Sequence, residues 1–174
     1  MNKKVWAGIF GLIAIEQVIK IIIYKNFFDR RFPILPPVLY FEPMFNKQYS
    51  WFNSLFQLGI GRGVHIVFSL IVTALIYLFY SYLSNRAEVA KLVNVMFVFL
   101  FSGAVCSLID KIFWDGSLDY ISVKGLFTFD LKDVYLNIFN GLLIFSVFFH
   151  NKALRHFDDE EILKGFIRYV LRKP

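Results

Sequence analysis

Two aspartates flank a short segment between two apolar runs: Asp110 closes the run from Leu92 to Ile109, and Asp133 opens the run from Val134 to Phe149. If both runs are helices packed antiparallel, the two carboxylates meet at one edge of the apolar layer, whichever edge that is. Two carboxyl groups in a partly dry site cannot both ionise easily, so they share a proton; one can polarise a carbonyl while the other activates water. That is the chemistry of an aspartyl protease. Position alone also fits a plainer reading, because an Asp at the end of a span is often an interfacial residue and Asp133 suits a helix cap. Glu16, Lys20 and His65 are further ionisable groups within or beside apolar runs, and such groups are expensive in hydrocarbon. Glu16 and Lys20 are spaced i,i+4, so an intrahelical ion pair makes both tolerable. His65 reads as an interfacial histidine. Cys106, the single cysteine, lies four residues before Asp110 on the same helical face. No spacing brings it to His65 as a nucleophile and its base. No His, Asp and Glu set shows ligand spacing, so neither a metal nor an organic cofactor is expected.

The elements that must position these groups are apolar helices. Of 174 residues, 57% are hydrophobic, 20% aromatic and 18% charged, which argues against a soluble globular enzyme and against a disordered chain. Four runs, residues 5–24, 64–83, 92–109 and 134–149, approach the roughly 20 residues that a helix needs to cross hydrocarbon. The expected fold is therefore an all-α membrane protein with four transmembrane helices in one domain over residues 1–174. The first run holds Glu16 and Lys20 and no small-residue cleavage site follows it, so it reads as a retained helix rather than a removed signal peptide. Residues 84–91 form a tight polar turn, and the two long connections, 25–63 and 110–133, share the opposite side because crossings alternate. Both carry strand patterns: Val38 to Glu42 in the first, then Leu118 to Val123 and Leu126 to Phe129 around Lys124-Gly125 in the second, a small β-rich cradle outside the membrane. Ten Lys and Arg residues lie on the side of the termini and eight on the side of the long connections, which places both termini in the cytoplasm. The net charge of +6 then serves topology and anionic headgroups rather than nucleic acid. In the tail, 150–174, Asp158 or Asp159 caps a helix with Ile162, Leu163, Phe166, Ile167 and Val170 on one face and Lys164, Arg168, Arg172 and Lys173 elsewhere. That is an amphipathic helix lying on the inner leaflet.

Three ordered segments carry a family resemblance. Gly103-Ala104-Val105-Cys106-Ser107-Leu108-Ile109-Asp110-Lys111, then Leu118-Asp119-Tyr120-Ile121, then Phe129-Asp130-Leu131-Lys132-Asp133 resemble the motifs G-x-x-G-N-x-x-D-R, V-x-D-F and F-N-x-A-D of bacterial lipoprotein signal peptidases. Glu16-Gln17-Val18-Ile19-Lys20 is similar to the family's D-Q-x-x-K, and Asn46 to the Asn of its N-x-G-x-x-F. The resemblance implies a four-helix membrane aspartyl protease with Asp110 and Asp133 as the catalytic pair. It implies support from Asn46, Ser107, Lys111, Asp119, Asp130, Glu16 and Lys20, with Asp119 ordering the outer loop over the site. The implied substrate is a diacylglyceryl-modified prolipoprotein, cut before its lipid-modified cysteine by a monomer in the bacterial cytoplasmic membrane, with the active site near the outer face. The chain departs from the pattern at Glu16, Gln48, Cys106, Ser107, Lys111 and Asp130-Leu131-Lys132. Asp130 adds a third carboxylate, which Lys111 or Lys132 must compensate. Two other readings stand beside the peptidase: a catalytically impaired paralogue that binds lipoproteins or lipid, and a small transporter subunit, although no inverted repeat or broken helix pair is visible. Helix polarity assigns unequal roles within the pair: Asp110 at a helix C-terminus holds the shared proton, and Asp133 at an N-terminus is the base.

Overall fold

Within the first apolar run the buried positions are Val5, Ile9, Glu16, Lys20 and Ile23, one stripe at helical spacing on an otherwise apolar surface. The run folds as helix α1, Lys3–Asn26, in a computed structural model that describes residues 3–84, 90–114, 116–149 and 159–171. Helix α3, Arg62–Ser84, buries only His65 and Tyr80 and leaves Val64 and Phe68 exposed, as suits a helix whose solvent is hydrocarbon. Among the described residues, three helical stretches are long and apolar enough to cross a membrane: Lys3–Asn26, Arg62–Ser84 and Lys91–Trp114. Between α1 and α3 lies the short helix α2, Trp51–Phe56, capped by the Ser50 side chain, which accepts from the Asn53 N–H.

Helix α4, Ala90–Ile109, occupies the centre, packed against α1, α3 and the later helix α5, Leu131–Phe149. Val5, Ile9, Tyr80 and Phe97 form the core there, with the Tyr80 and Phe97 rings stacked at 3.8 Å between centroids. Gly103 lets α5 approach closely: a Cβ at this position would lie 2.8 Å from Leu136 Cδ2 and 3.4 Å from the Lys132 carbonyl. The small residue thus brings the first turn of α5, which carries Asp133, against α4.

The two long connections contribute one antiparallel sheet in the order β1-β2-β3-β4: Phe32–Leu35, Leu39–Asn46, Ser117–Val123 and Phe127–Phe129. The β3–β4 turn falls at Lys124-Gly125 as the alternation predicts, with Gly125 at φ 77°. Strand β2 runs four residues past the predicted Glu42, and its register slips between Phe41 and Met44, where Pro43 has no N–H to give the ladder. Strand β1 was invisible to the pattern because Pro33 interrupts it; as an edge strand it tolerates the proline. Ile23, Leu118 and Tyr120 join α1 to the sheet in a second core. The tail forms helix α6, Asp159–Val170, whose Phe166 packs against Phe79 and Tyr82. It docks at the C-terminal end of α3, whereas Arg62 at the other end of α3 binds the segment after Asp110. Most of the tight turn (85–89), the Asp158 cap, Arg172 and Lys173 lie outside the described residues.

Candidate active site

The helical path does not end at Ile109. Asp110–Trp114 continue as a single π turn, a wide turn that often marks functional positions. Arg62 holds it: Nε donates to the Lys111 carbonyl at 2.7 Å and an Nη to the Ile112 carbonyl at 2.7 Å. Asp110 and Lys111, though consecutive, are both buried. The turn leads into β3, where strand periodicity puts Ser117 and Asp119 on the same face. The pairing of Asn46 with Ser117 brings the end of β2 alongside. Gly116 makes this junction possible, at φ 137° and with space for a Cβ closed by the Asn46 carbonyl at 2.8 Å. Asp130 is then the N-cap of α5. Its Oδ1 accepts from the Asp133 N–H, and Asp133 Oδ2 accepts from the Asp130 N–H, each at 3.3 Å, a reciprocal capping box.

These elements deliver a buried lattice of alternating charge. Lys20 Nζ lies 2.9 Å from Glu16 Oε1, 2.7 Å from Asp110 Oδ2 and 2.7 Å from Asp130 Oδ2. The expected i,i+4 pair is present, but Lys20 reaches two further carboxylates on other elements. Lys132 Nζ binds Asp130 Oδ2, donates to Ser117 Oγ, and lies 3.2 Å from Asp110 Oδ2 and 3.8 Å from Asp119 Oδ1. Ser117 Oγ sits 3.1, 2.7 and 3.0 Å from carboxylate oxygens of Asp110, Asp119 and Asp130. With one hydroxyl proton it can donate to only one of them at a time. Buried charges persist only when each meets an opposite partner, and here two ammonium groups lie among four carboxylates.

Among the described residues, two sets of three carboxylates each have oxygens within 4.8 Å of one another: Glu16, Asp110 and Asp130, and Asp119, Asp130 and Asp133. Asp130 belongs to both and so links Asp110 to Asp133, which is half-buried while Asp110 is 1% exposed. Sequence spacing could not show these sets, since three elements supply them. Lys20 and Lys132 supply their positive charge. Lys111 turns away along α4, donating to the Ser107 carbonyl at 3.2 Å and to Ser107 Oγ at 2.6 Å. Lys132, rather than Lys111, therefore meets the added carboxylate of Asp130. Asn46 Nδ2 donates to Asp119 Oδ2 at 3.2 Å, and its Oδ1 accepts from the Gln48 N–H. Cys106 is buried, and the His65 ring nitrogens face Ser50 Oγ and the Gly61 carbonyl.

Ser117 and Arg62 belong to this site and were not among the residues expected from sequence. Ser117 was detectable in principle, two residues before Asp119 on a strand. Arg62 left no signal, because its partners are main-chain carbonyls 49 and 50 residues away.

The lattice has measurable electrostatic consequences. Burial works to raise the Asp130 carboxyl, but Lys132 and Lys20 hold it well below the usual carboxylate range. Asp130→Asn and Lys132→Ala, made singly, each leave an opposite charge short of a partner, whereas the double variant removes both. Thermal unfolding of the four proteins should show a coupling of about 2 kcal/mol. Additivity within about 0.5 kcal/mol would contradict the pairing. At Asp119, burial pushes the carboxyl up against the opposing pull of Lys132, and against the hydrogen bonds from Ser117 and Asn46. A raised folded value means that its contribution to stability is complete below the ordinary Asp range and is lost as pH rises through the raised value. Asp119→Asn should therefore raise Tm relative to wild type above that window and not below it. A gain of equal size at acid pH would refute this assignment.

The fold and this centre define a membrane protein with a buried carboxylate and lysine site at one end of its helices. The family described as Signal peptidase (SPase) II matches residues 9–149, and the chain belongs to that family. Membership makes it a peptidase, and with the three apolar helices a bacterial membrane protein. Among relatives, the chain is 27% identical over 147 residues to a lipoprotein signal peptidase of Fusobacterium nucleatum, covering 83% of this chain and 86% of that protein. Two solved structures of a bacterial membrane enzyme, determined by the in meso method, share the fold. They superpose with TM-scores of 0.66 and 0.67 at 20% identity, covering 83% and 84% of this chain and 87% and 93% of theirs.

Proposed function

We propose that this protein is an aspartyl endopeptidase that removes the signal peptide from lipid-modified prolipoproteins, cutting before the diacylglyceryl cysteine. The observation that carries the reading is the union, through Asp130, of a deeply buried Asp110 with a half-buried Asp133, the two family positions for the catalytic pair. Their roles follow from the charges around them. Helix polarity assigned the proton to Asp110, but the helical path continues to Trp114. A helix end counts for about half a charge, whereas two full ammonium charges lie 2.7 and 3.2 Å from Asp110 Oδ2. Asp110 is thus the anion and Asp133 carries the shared proton.

In the first step Asp110 takes a proton from water as its oxygen bonds to the scissile carbonyl carbon, and Asp133 gives its proton to the carbonyl oxygen, forming a gem-diol. In the second, Asp133 recovers a proton from one hydroxyl while Asp110 passes its proton to the leaving nitrogen, and the C–N bond breaks. Each turnover returns both residues to their starting state. Helix α5 serves as the fourth span, both termini are cytoplasmic, and the sheet and α2 cover the outer end, where the substrate helix enters laterally from the bilayer. Helix α6, with Leu163 and Ile167 exposed, rests on the inner leaflet, and the working unit is a monomer. The pairing of Lys132 with Asp130 supports turnover over a binding-only paralogue, because the added carboxylate is neutralised in place.

Substrate choice tests the reading. The purified protein in lipid should cleave a diacylglyceryl-modified precursor and leave the unmodified precursor intact. Equal cleavage of both would remove the lipid from the account, and cleavage of neither by a folded protein would favour the binding paralogue.

A further inference from the structure

The C-terminal half of α1 borders an open groove of about 470 Å³ that the catalytic reading leaves without a role. Gln17, Ile21, Tyr24 and Lys25 line one wall, at the i, i+4, i+7 and i+8 spacing of a single helix face. Ile109, Phe113 and Trp114 line the other, and the π turn carries Phe113 to the surface, 77% exposed. From Gln17 to Lys25 is about 12 Å of helix, close to the depth of one leaflet of hydrocarbon, about 15 Å. The two ends of the groove differ. Lys25 is exposed in the last turn of α1 and pairs with no carboxylate among the described residues. Beside it the Tyr24 ring packs edge-on against Phe28, Phe45 and Trp114 at 5.9, 5.9 and 5.6 Å between centroids. Aromatic residues gather at the level of lipid headgroups, so this cluster and Lys25 mark the interface. Toward Ile21 and Ile109 the lining is apolar.

We propose that this groove binds one anionic phospholipid, with its phosphate on Lys25 and one acyl chain laid along Ile21, Ile109 and Phe113. A cation at the interface above an apolar slot one leaflet deep matches a lipid in both charge and shape. The volume lies at the lower end of the range for small-ligand sites, about 300 to 1,000 Å³, which suits a single chain. A partner helix, about 10 Å across with its side chains, is too wide to enter. The diacylglyceryl group of a precursor carries no phosphate and would leave Lys25 unused. A cation in the last turn also suits the helix end, so the test reads lipid choice rather than stability. The proposal requires only that α1 crosses the membrane, and it stands apart from the peptidase reading.

Trp114 reports on the groove once Trp6 and Trp51, the other two tryptophans, are changed to Phe. In vesicles of phosphatidylcholine with increasing dibrominated phosphatidylglycerol, quenching of Trp114 measures the preference of the groove for the anionic lipid. One Lys near an anionic headgroup is worth about fivefold in affinity. The preference should therefore be about fivefold in the reporter protein, vanish in Lys25→Met and persist in Lys25→Arg. Lys124→Met is the control. Lys124 is also exposed, but it follows Val123, which pairs with Leu39 at the far end of β2 from Phe45, about 20 Å along the strand. Its loss should leave the preference unchanged. An equal fall in Lys25→Met and Lys124→Met would reveal a diffuse surface field and overturn the proposal, as would equal quenching by brominated phosphatidylcholine and phosphatidylglycerol in the reporter protein. Displacement of the quencher by uncharged diacylglycerol, equally with and without Lys25→Met, would assign the groove to a neutral acyl chain and overturn it too. Native mass spectrometry of the unaltered chain gives a second reading that needs no tryptophan change. One phosphatidylglycerol should be retained in preference to phosphatidylcholine, with the preference lost in Lys25→Met; no preference in wild type would overturn the proposal.

Discussion

Asp110→Asn and Asp133→Asn should each give a folded protein that cleaves lipid-modified precursor at least about a thousandfold more slowly than wild type, the usual scale for losing a general acid or base. Asparagine keeps the shape of the side chain and one carbonyl oxygen. At position 110 that oxygen can still accept from Lys20 or Ser117, which meet the Asp110 carboxylate at 2.7 and 3.1 Å. At position 133 it can still accept from the Asp130 N–H. The lattice keeps Lys20 bound to Glu16 and Asp130 in both variants, so folding survives while the proton relay is lost. Initial rates measured beside thermal unfolding in the same detergent separate these effects. A rate within tenfold of wild type in either variant would take that residue out of the chemistry.

Lys20→Met should have the largest effect on stability. It strips the common cation from Glu16, Asp110 and Asp130, which are 0%, 1% and 0% exposed. Breaking a buried ion pair from one side costs about 3 to 5 kcal/mol, because it leaves uncompensated charge in a poor solvent for it. Lys132 still contacts Asp110 and Asp130 but makes no ion pair with Glu16 among the described residues. For a chain of this size the loss corresponds to a fall in Tm of about 10 °C. Adding Glu16→Gln removes the carboxylate left most isolated, so the double variant should recover part of that stability. It should not recover turnover, because Asp110 would still lack its nearer cation. Unfolding of Lys20→Met within about 1 kcal/mol of wild type would show that Lys20 does not hold the lattice together.

Helix content was legible because it rests on a local signal, and the positions of Asp110 just after α4 and Asp133 in the first turn of α5 followed from it. Apolar runs of membrane length mark α1, α3 and α4, and alternation around Lys124-Gly125 marks β3 and β4. Glu16 and Lys20 were readable as a pair from their spacing. Their part in the site was not, because Asp110 and Asp130 reach Lys20 through a π turn and a helix cap far along the chain. Lys132 was visible only as a possible compensation for Asp130; its contacts with Ser117, Asp110 and Asp119 depend on Gly103 letting α5 close on α4. The plain reading of Asp133 as the cap passes to Asp130, which is the N-cap, while Asp133 sits in the first turn and returns a hydrogen bond to the Asp130 N–H; these bonds fix its carboxylate beside the lattice. Arg62 acts on carbonyls, which carry no side-chain signature, so only the folded chain reveals it.

The most direct test of the central claim is mass spectrometry of a diacylglyceryl-modified prolipoprotein after incubation with the purified wild-type protein in lipid, across a broad pH range. The account predicts two products: a signal peptide with a free C-terminal carboxylate, and a mature chain whose N-terminal residue is the lipid-modified cysteine. An intact precursor at every pH, with the protein folded and the precursor bound, would contradict it.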